Sequence, residues 1–197
     1  MLQTLLLAAA TAMAGEREEF IQTATKEIVR RKEGLTTEIA SYWAEEMWSA
    51  SVIVSQWFKY KLDPKFTLVR WCIESNGSNK VANKSRVDGS TIPFQRWSVG
   101  MFHLRVFPIV QELEAMNVPY TAPIVDWFLN HPKHQIWCVS RFQARWLKDL
   151  GGNNIKMIEV YRYGRSFEGK SEYYKDFARI YTQVWGKQIP SQAKSIR

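Results

Sequence analysis

The chain has 197 residues, of which 46% are hydrophobic and 23% charged. That length suits one domain with an added N-terminal segment, and that composition supports a packed core and excludes wholesale disorder. Lys and Arg outnumber Asp and Glu, 27 against 19, so the surface favours a polyanionic partner. Nothing in the chain matches an RNP or zinc-finger pattern, so no nucleic-acid partner is expected.

Residues Leu2 to Ala14 are apolar and small, and Ala12-Met13-Ala14 precedes Gly15 in the manner of a signal cleavage site. The run lacks a preceding Lys or Arg. It is also shorter than the roughly 20 residues that span a bilayer. It therefore reads as a packed helix or a membrane-touching segment in preference to a cleaved signal. A charged helix is predicted over 16–32, with Phe20, Ile21, Ala24 and Ile28 on one stripe and Gly34 after its end. Thr36 or Thr37 caps the next, which runs to about Lys61 and carries Ile39, Trp43, Met47, Ser51, Val54 and Phe58.

A short helix over 66–75 follows Pro64, carries Leu68, Trp71 and Cys72, and ends in Glu74-Ser75. Residues 76–97 are polar, rich in turn formers and without clear period, which predicts a loop or a small irregular sheet. A loop of that length in a compact domain is usually functional. Helices are then predicted over 102–116, 121–130, 134–150, 153–163 and 170–185, with Gly151-Gly152 and Gly164 as stops. The expected fold is all-α with minimal β structure. Residues 1–60 form a helical extension packing on a domain at 61–197.

Glu74 is the candidate for chemistry. It closes an apolar helix, beside Trp71, Cys72 and Ile73. Desolvation disfavours a charged carboxylate, so a carboxyl in such surroundings can hold a proton for a leaving oxygen. Seen alone, most glutamates at helix ends are simply solvated. Three blocks of sequence in order give this one more weight. Ile73-Glu74-Ser75 comes first. Ser98-Val99-Gly100-Met101-Phe102-His103-Leu104 is second. Gly151-Gly152-Asn153-Asn154 followed by Ile158-Glu159-Val160-Tyr161-Arg162-Tyr163-Gly164 is third.

Together the blocks resemble the lytic transglycosylases and goose-type lysozymes, over roughly residues 66–187. The resemblance implies a helical lysozyme-like domain that cleaves the β-1,4 bond between N-acetylmuramic acid and N-acetylglucosamine in peptidoglycan. Glu74 would be general acid and then base. The C6 hydroxyl of the muramic sugar would attack to leave a 1,6-anhydro end. The resemblance further implies substrate contacts from Ser75, Ser98, Gly100, Met101, Phe102, His103, Tyr161 and Arg162. Met101 and Phe102 would line the groove, Gly100 would let backbone approach the sugar, and the second block would open a helix beside Glu74. His103 and Arg162 depart from the family's Gln and Asn.

Asp88, in Val87-Asp88-Gly89, is either a turn residue or a second carboxylate that activates water. The latter would make the enzyme a hydrolytic muramidase, for which inverting carboxyls sit about 6.5–9.5 Å apart. A wall endopeptidase and a non-catalytic wall-binding or structural module are the other readings. His131 and His134 lack a third ligand for zinc, so no metal is expected, and nothing points to an organic cofactor. Cys72 and Cys138 lie in apolar surroundings and are expected to be buried free thiols. The expected partner is the glycan strand of the wall, engaged by a monomer in the cell envelope or periplasm. The N-terminal segment would add membrane or virion association, as in a phage lysin.

Overall fold

The computed structural model describes residues 2–74, 81–82, 93, 98–121, 123–163 and 171–196, and the side chains among these except at 2–10, 81–82, 162 and 163. Eight α-helices and three two-residue strands are found among them: α1 Leu2–Arg31, α2 Thr37–Phe58, α3 Pro64–Glu74, β1 Val81–Ala82, β2 Ser98–Val99, β3 Leu104–Arg105, α4 Val106–Ala115, α5 Ile124–Leu129, α6 Pro132–Asp149, α7 Asn154–Tyr163 and α8 Glu172–Trp185. Among the described residues the protein is all-α apart from this small antiparallel sheet, ordered β1-β2-β3. Val81 pairs with Val99, and Val99 with Leu104.

α1 is one continuous helix, so the apolar N-terminal run is the first half of a longer rod. The expected stripe faces inward, with Phe20 on Trp48 and stacked on Trp185, and with Ala24 and Ile28 fully buried. Residues 11–14 of the apolar run are exposed, and the side chains of 2–10, where the packed-helix or membrane-touching reading mainly falls, lie outside the described residues. No helix among the described residues is long and apolar enough to cross a membrane.

α2 lies between α1 and α6 and buries Trp43, Met47, Ser51 and Val54. Thr36 caps it by accepting from the Ile39 N–H. Ile39 is exposed instead of in the predicted stripe, because the buried face runs through Ala40, Trp43, Ala44 and Met47. Lys59 ends the helix in the left-handed conformation. The C-terminal tail returns to this corner: the N–H of Lys61 donates to the Lys194 carbonyl and that of Ile196 to the Lys59 carbonyl. A further bridge joins Asn153 and Gln192, so the tail straps the α2–α3 and α6–α7 corners together.

α3 is the central helix. It is packed by α1, α2, α6 and α8, and every residue from Phe66 to Cys72 is buried. Trp71 meets Trp43 edge-on, Phe66 meets Phe177 and Tyr181, and Thr67 donates to the Gln143 amide oxygen. A helix enclosed on all sides can offer solvent only an end, and here that end is Ile73-Glu74. Elsewhere α4 is tied to α6 by Glu112, which is 1% exposed and pairs with Arg141 at 2.7 Å and Arg145 at 2.6 Å.

The two cysteines are free and buried, as expected. Burial pushes the Cys72 thiol up to about 12 and raises Cys138 as well. Neither should react with a disulfide reagent at pH 8 in the folded protein, because the thiolate is the nucleophile. Both should titrate once the chain is unfolded in denaturant, and fast reaction without denaturant would contradict the packing.

Glu27 supplies a pH test of the α1 packing. Burial raises its carboxyl, but hydrogen bonds from Arg30 and Arg31 outweigh that and hold it below the ordinary 4.5. A carboxylate lowered in the folded state stabilises above its unfolded value and loses that contribution as the pH falls through the folded one. The thermal midpoint should therefore fall as acid is added below about pH 4.5. Glu27→Gln should flatten that part of the curve and lower the plateau at neutral pH.

Candidate active site

Glu74 occupies the last position of α3, and only 6% of its side chain is exposed. Two of the flanking residues that the sequence suggested have their contacts on other helices. Trp71 is turned to α2, and Cys72 lies near Arg31 and Glu27 of α1. Instead the Tyr173 hydroxyl donates to Glu74 Oε1 at 2.7 Å. His103 brings Nδ1 to 3.8 Å from Oε2. The carboxyl thus lies between the start of α8 and the turn joining β2 to β3.

Tyr173 is fixed from two directions. It sits in the first turn of α8, whose cap Ser171 accepts from the Tyr174 N–H. Ser171 in turn donates through its N–H and its hydroxyl to Glu159, which is 2% exposed on α7. From behind, Arg70 Nη1 donates to the Tyr173 hydroxyl at 3.0 Å. Arg70 and Glu74 are four residues apart on α3, and so share a face. Burial raises the Tyr173 hydroxyl well above the usual tyrosine value, so it stays protonated and able to donate.

Tyr161 joins the same cluster. Its ring lies 3.6 Å from the Arg70 guanidinium carbon, a cation–π contact. Its hydroxyl donates to the Phe102 carbonyl, which ties α7 to the β2–β3 turn. Glu74, His103 and Tyr161, predicted from separate blocks, are therefore brought together. Arg70 and Tyr173 were missed. The four-residue spacing of Arg70 and Glu74 was a usable signal, whereas nothing local marks Tyr173 as a neighbour 99 positions away.

The second block needs correction. It opens no helix. Ser98 and Val99 form β2, residues 100–103 turn, and α4 begins only at Val106. Met101 and Phe102 do not line an open groove, because they are 0% and 1% exposed and belong to the core. Ser98 is buried too. Gly100 has φ +79°, and an added Cβ would stand 2.4 Å from Gln135 Oε1. Its missing side chain serves an approach by Gln135, which also accepts from the Met101 N–H at 2.7 Å. His103 itself has φ +47°, a conformation uncommon outside glycine.

Ser75, Asp88 and the Arg162 side chain lie outside the described residues, and with them the Glu74–Asp88 separation. His131 is stacked on Trp127 at 4.1 Å with Nδ1 beside the Trp127 carbonyl, and His134 lies against the same ring. No cluster of metal-binding side chains occurs among the described residues. A surface hollow of about 540 Å³ on the outer side of α8 is lined by Tyr174, Ala178, Arg179 and Thr182 and does not include Glu74.

Gly100→Ala should destabilise the fold by about 1–3 kcal/mol, since it adds overpacking to a left-handed backbone. Denaturant melts read this, and a loss below about 0.5 kcal/mol, the range of ordinary surface substitutions, would mean that Gln135 yields freely. Compared with protein-family models, with curated proteins and with solved structures, the chain finds no match in any of the three.

Proposed function

We propose that the protein is a peptidoglycan-cleaving enzyme with a lysozyme-like fold, in which Glu74 acts as general acid and then base on the β-1,4 bond between N-acetylmuramic acid and N-acetylglucosamine. The observation that carries the reading is the state of that carboxyl. It is nearly buried at a helix end, with a hydroxyl donor on one oxygen and an imidazole near the other. A one-carboxylate mechanism needs such a group, shielded enough to exchange a proton with substrate instead of with bulk water.

In the first step the Glu74 proton passes to the glycosidic oxygen as the bond from C1 breaks. In the second the C6 hydroxyl of the muramic sugar attacks C1, its proton returns to Glu74, and a 1,6-anhydro end results. The fold reading draws support from element order, with the Glu74 helix followed by a small antiparallel sheet and then helices. The excess of eight positive charges suits an anionic wall, so the site of action is the cell envelope, reached by export or by a phage particle.

The burial of Ser98, Met101 and Phe102 favours a second reading, a wall-binding or structural module that retains the fold without cleaving. Digestion of purified sacculi with mass spectrometry separates the two. Anhydro-muramyl ends are expected. Reducing muramyl ends would indicate a hydrolase in which water replaces the C6 hydroxyl, and new peptide amino termini would indicate an endopeptidase. Glu74→Gln should lower lysis at least about a hundredfold, the scale of losing a positioned proton donor. An unchanged rate, or an inactive wild type, would remove Glu74 as an acid.

A further inference from the structure

Arg70 is wholly buried on the central helix, a costly place for a cation that cannot lose its proton. Among the described residues no carboxylate touches it directly. Its partners are the Tyr173 hydroxyl at 3.0 Å, the Met157 sulfur at 3.8 Å and the face of Tyr161. A hydrophobic residue would fill such a site with less penalty, so the guanidinium is held for what it does to its neighbours.

We infer that Arg70 is a positioning residue that dictates the direction of the Tyr173 hydroxyl, and through it which oxygen of Glu74 carries the working proton. This rests on the acid–base reading of Glu74. A guanidinium only donates, so toward Arg70 the Tyr173 oxygen accepts. The single hydroxyl proton is then left for Glu74 Oε1 at 2.7 Å. An oxygen already accepting that bond is the poorer place for a second proton. Oε2, on the side of His103, is the oxygen that gives the proton to the leaving group and takes it back. The Tyr161 ring, 3.6 Å from the guanidinium carbon, restricts Arg70 on its other side.

The test is a double-mutant cycle on kcat and KM with a soluble wall glycan oligomer, using wild type, Arg70→Met, Tyr173→Phe, the double variant and Arg70→Lys. Each single loss should lower kcat about tenfold or more with KM within about twofold, and the double variant should fall little further. Arg70→Lys, which keeps a charge and a donor, should recover most of the rate. A purely structural role predicts that the losses multiply, to about a hundredfold, and that outcome overturns the inference.

Crystal structures of the variants add a readout independent of activity. In Arg70→Met the Tyr173 hydroxyl should leave Oε1 or the carboxyl should turn, while Arg70→Lys should keep the contact. An unmoved pair in Arg70→Met overturns the inference whether or not the wall is cleaved. If Arg70→Met does not fold, Arg70→Gln takes its place, because a neutral amide can accept as well as donate and no longer dictates the proton's direction. A wild type that leaves the glycan intact would remove the parent reading, and the variant structures would still decide the role of Arg70.

Discussion

The carboxyl of Glu74 stays where it is because Tyr173 does, and Tyr173 stays because Arg70 is wedged behind it inside the core. This chain of contacts links α3 to α8, two helices far apart in sequence, through a charge that water does not reach. Much of the surrounding packing exists around it. Tyr161 covers the guanidinium, Phe177 lies 5.6 Å from it, and Glu159 on α7 holds the cap that starts α8. A buried cation with imperfect partners would ordinarily favour local opening. Here it sits on a helix packed by α1, α2, α6 and α8, in a stretch from Phe66 to Cys72 that is buried throughout.

The helical part of this arrangement was legible because hydrophobic period reports burial directly. Phe20, Ala24 and Ile28, or Trp43, Met47 and Val54, recur at helical spacing and lie in the core. Ile39 broke its stripe because the face that packs begins at Ala40, and Ile39 lies at its edge. Gly100 shows a different limit. A glycine announces that something comes close or that φ is positive. It does not say what comes close, and in the fold the side chain that does is Gln135. Tyr173 was out of reach altogether, since its role depends on the docking of α8 across α3, a contact that no local pattern encodes.

The net charge also reads differently once the side chains are placed. Arg70 faces inward, and Arg141 and Arg31 are each only 18% exposed, committed to Glu112 and Glu27. Several of the positive charges counted in the sequence therefore stabilise the interior. The excess of eight is unchanged by these pairings, because the carboxylates the arginines face are counted in the same balance. Such a surface field is diffuse, and salt screens it beyond about 8–10 Å.

What separates Glu74 from other buried carboxylates here is asymmetry. Glu112 has both oxygens occupied by arginines, and Glu159 has both turned to Ser171. Glu74 has one oxygen fixed by a hydroxyl and the other at 3.8 Å from an imidazole, beyond a direct hydrogen bond. That looser side is the one bounded by the β2–β3 turn, where His103 takes a left-handed conformation at φ +47°. Sparsely populated backbone of this kind persists only where surrounding contacts over-determine it. Tyr161 supplies one such contact by gripping the Phe102 carbonyl next door. The same cluster therefore joins α3, α7, α8 and the β2–β3 turn around one carboxyl.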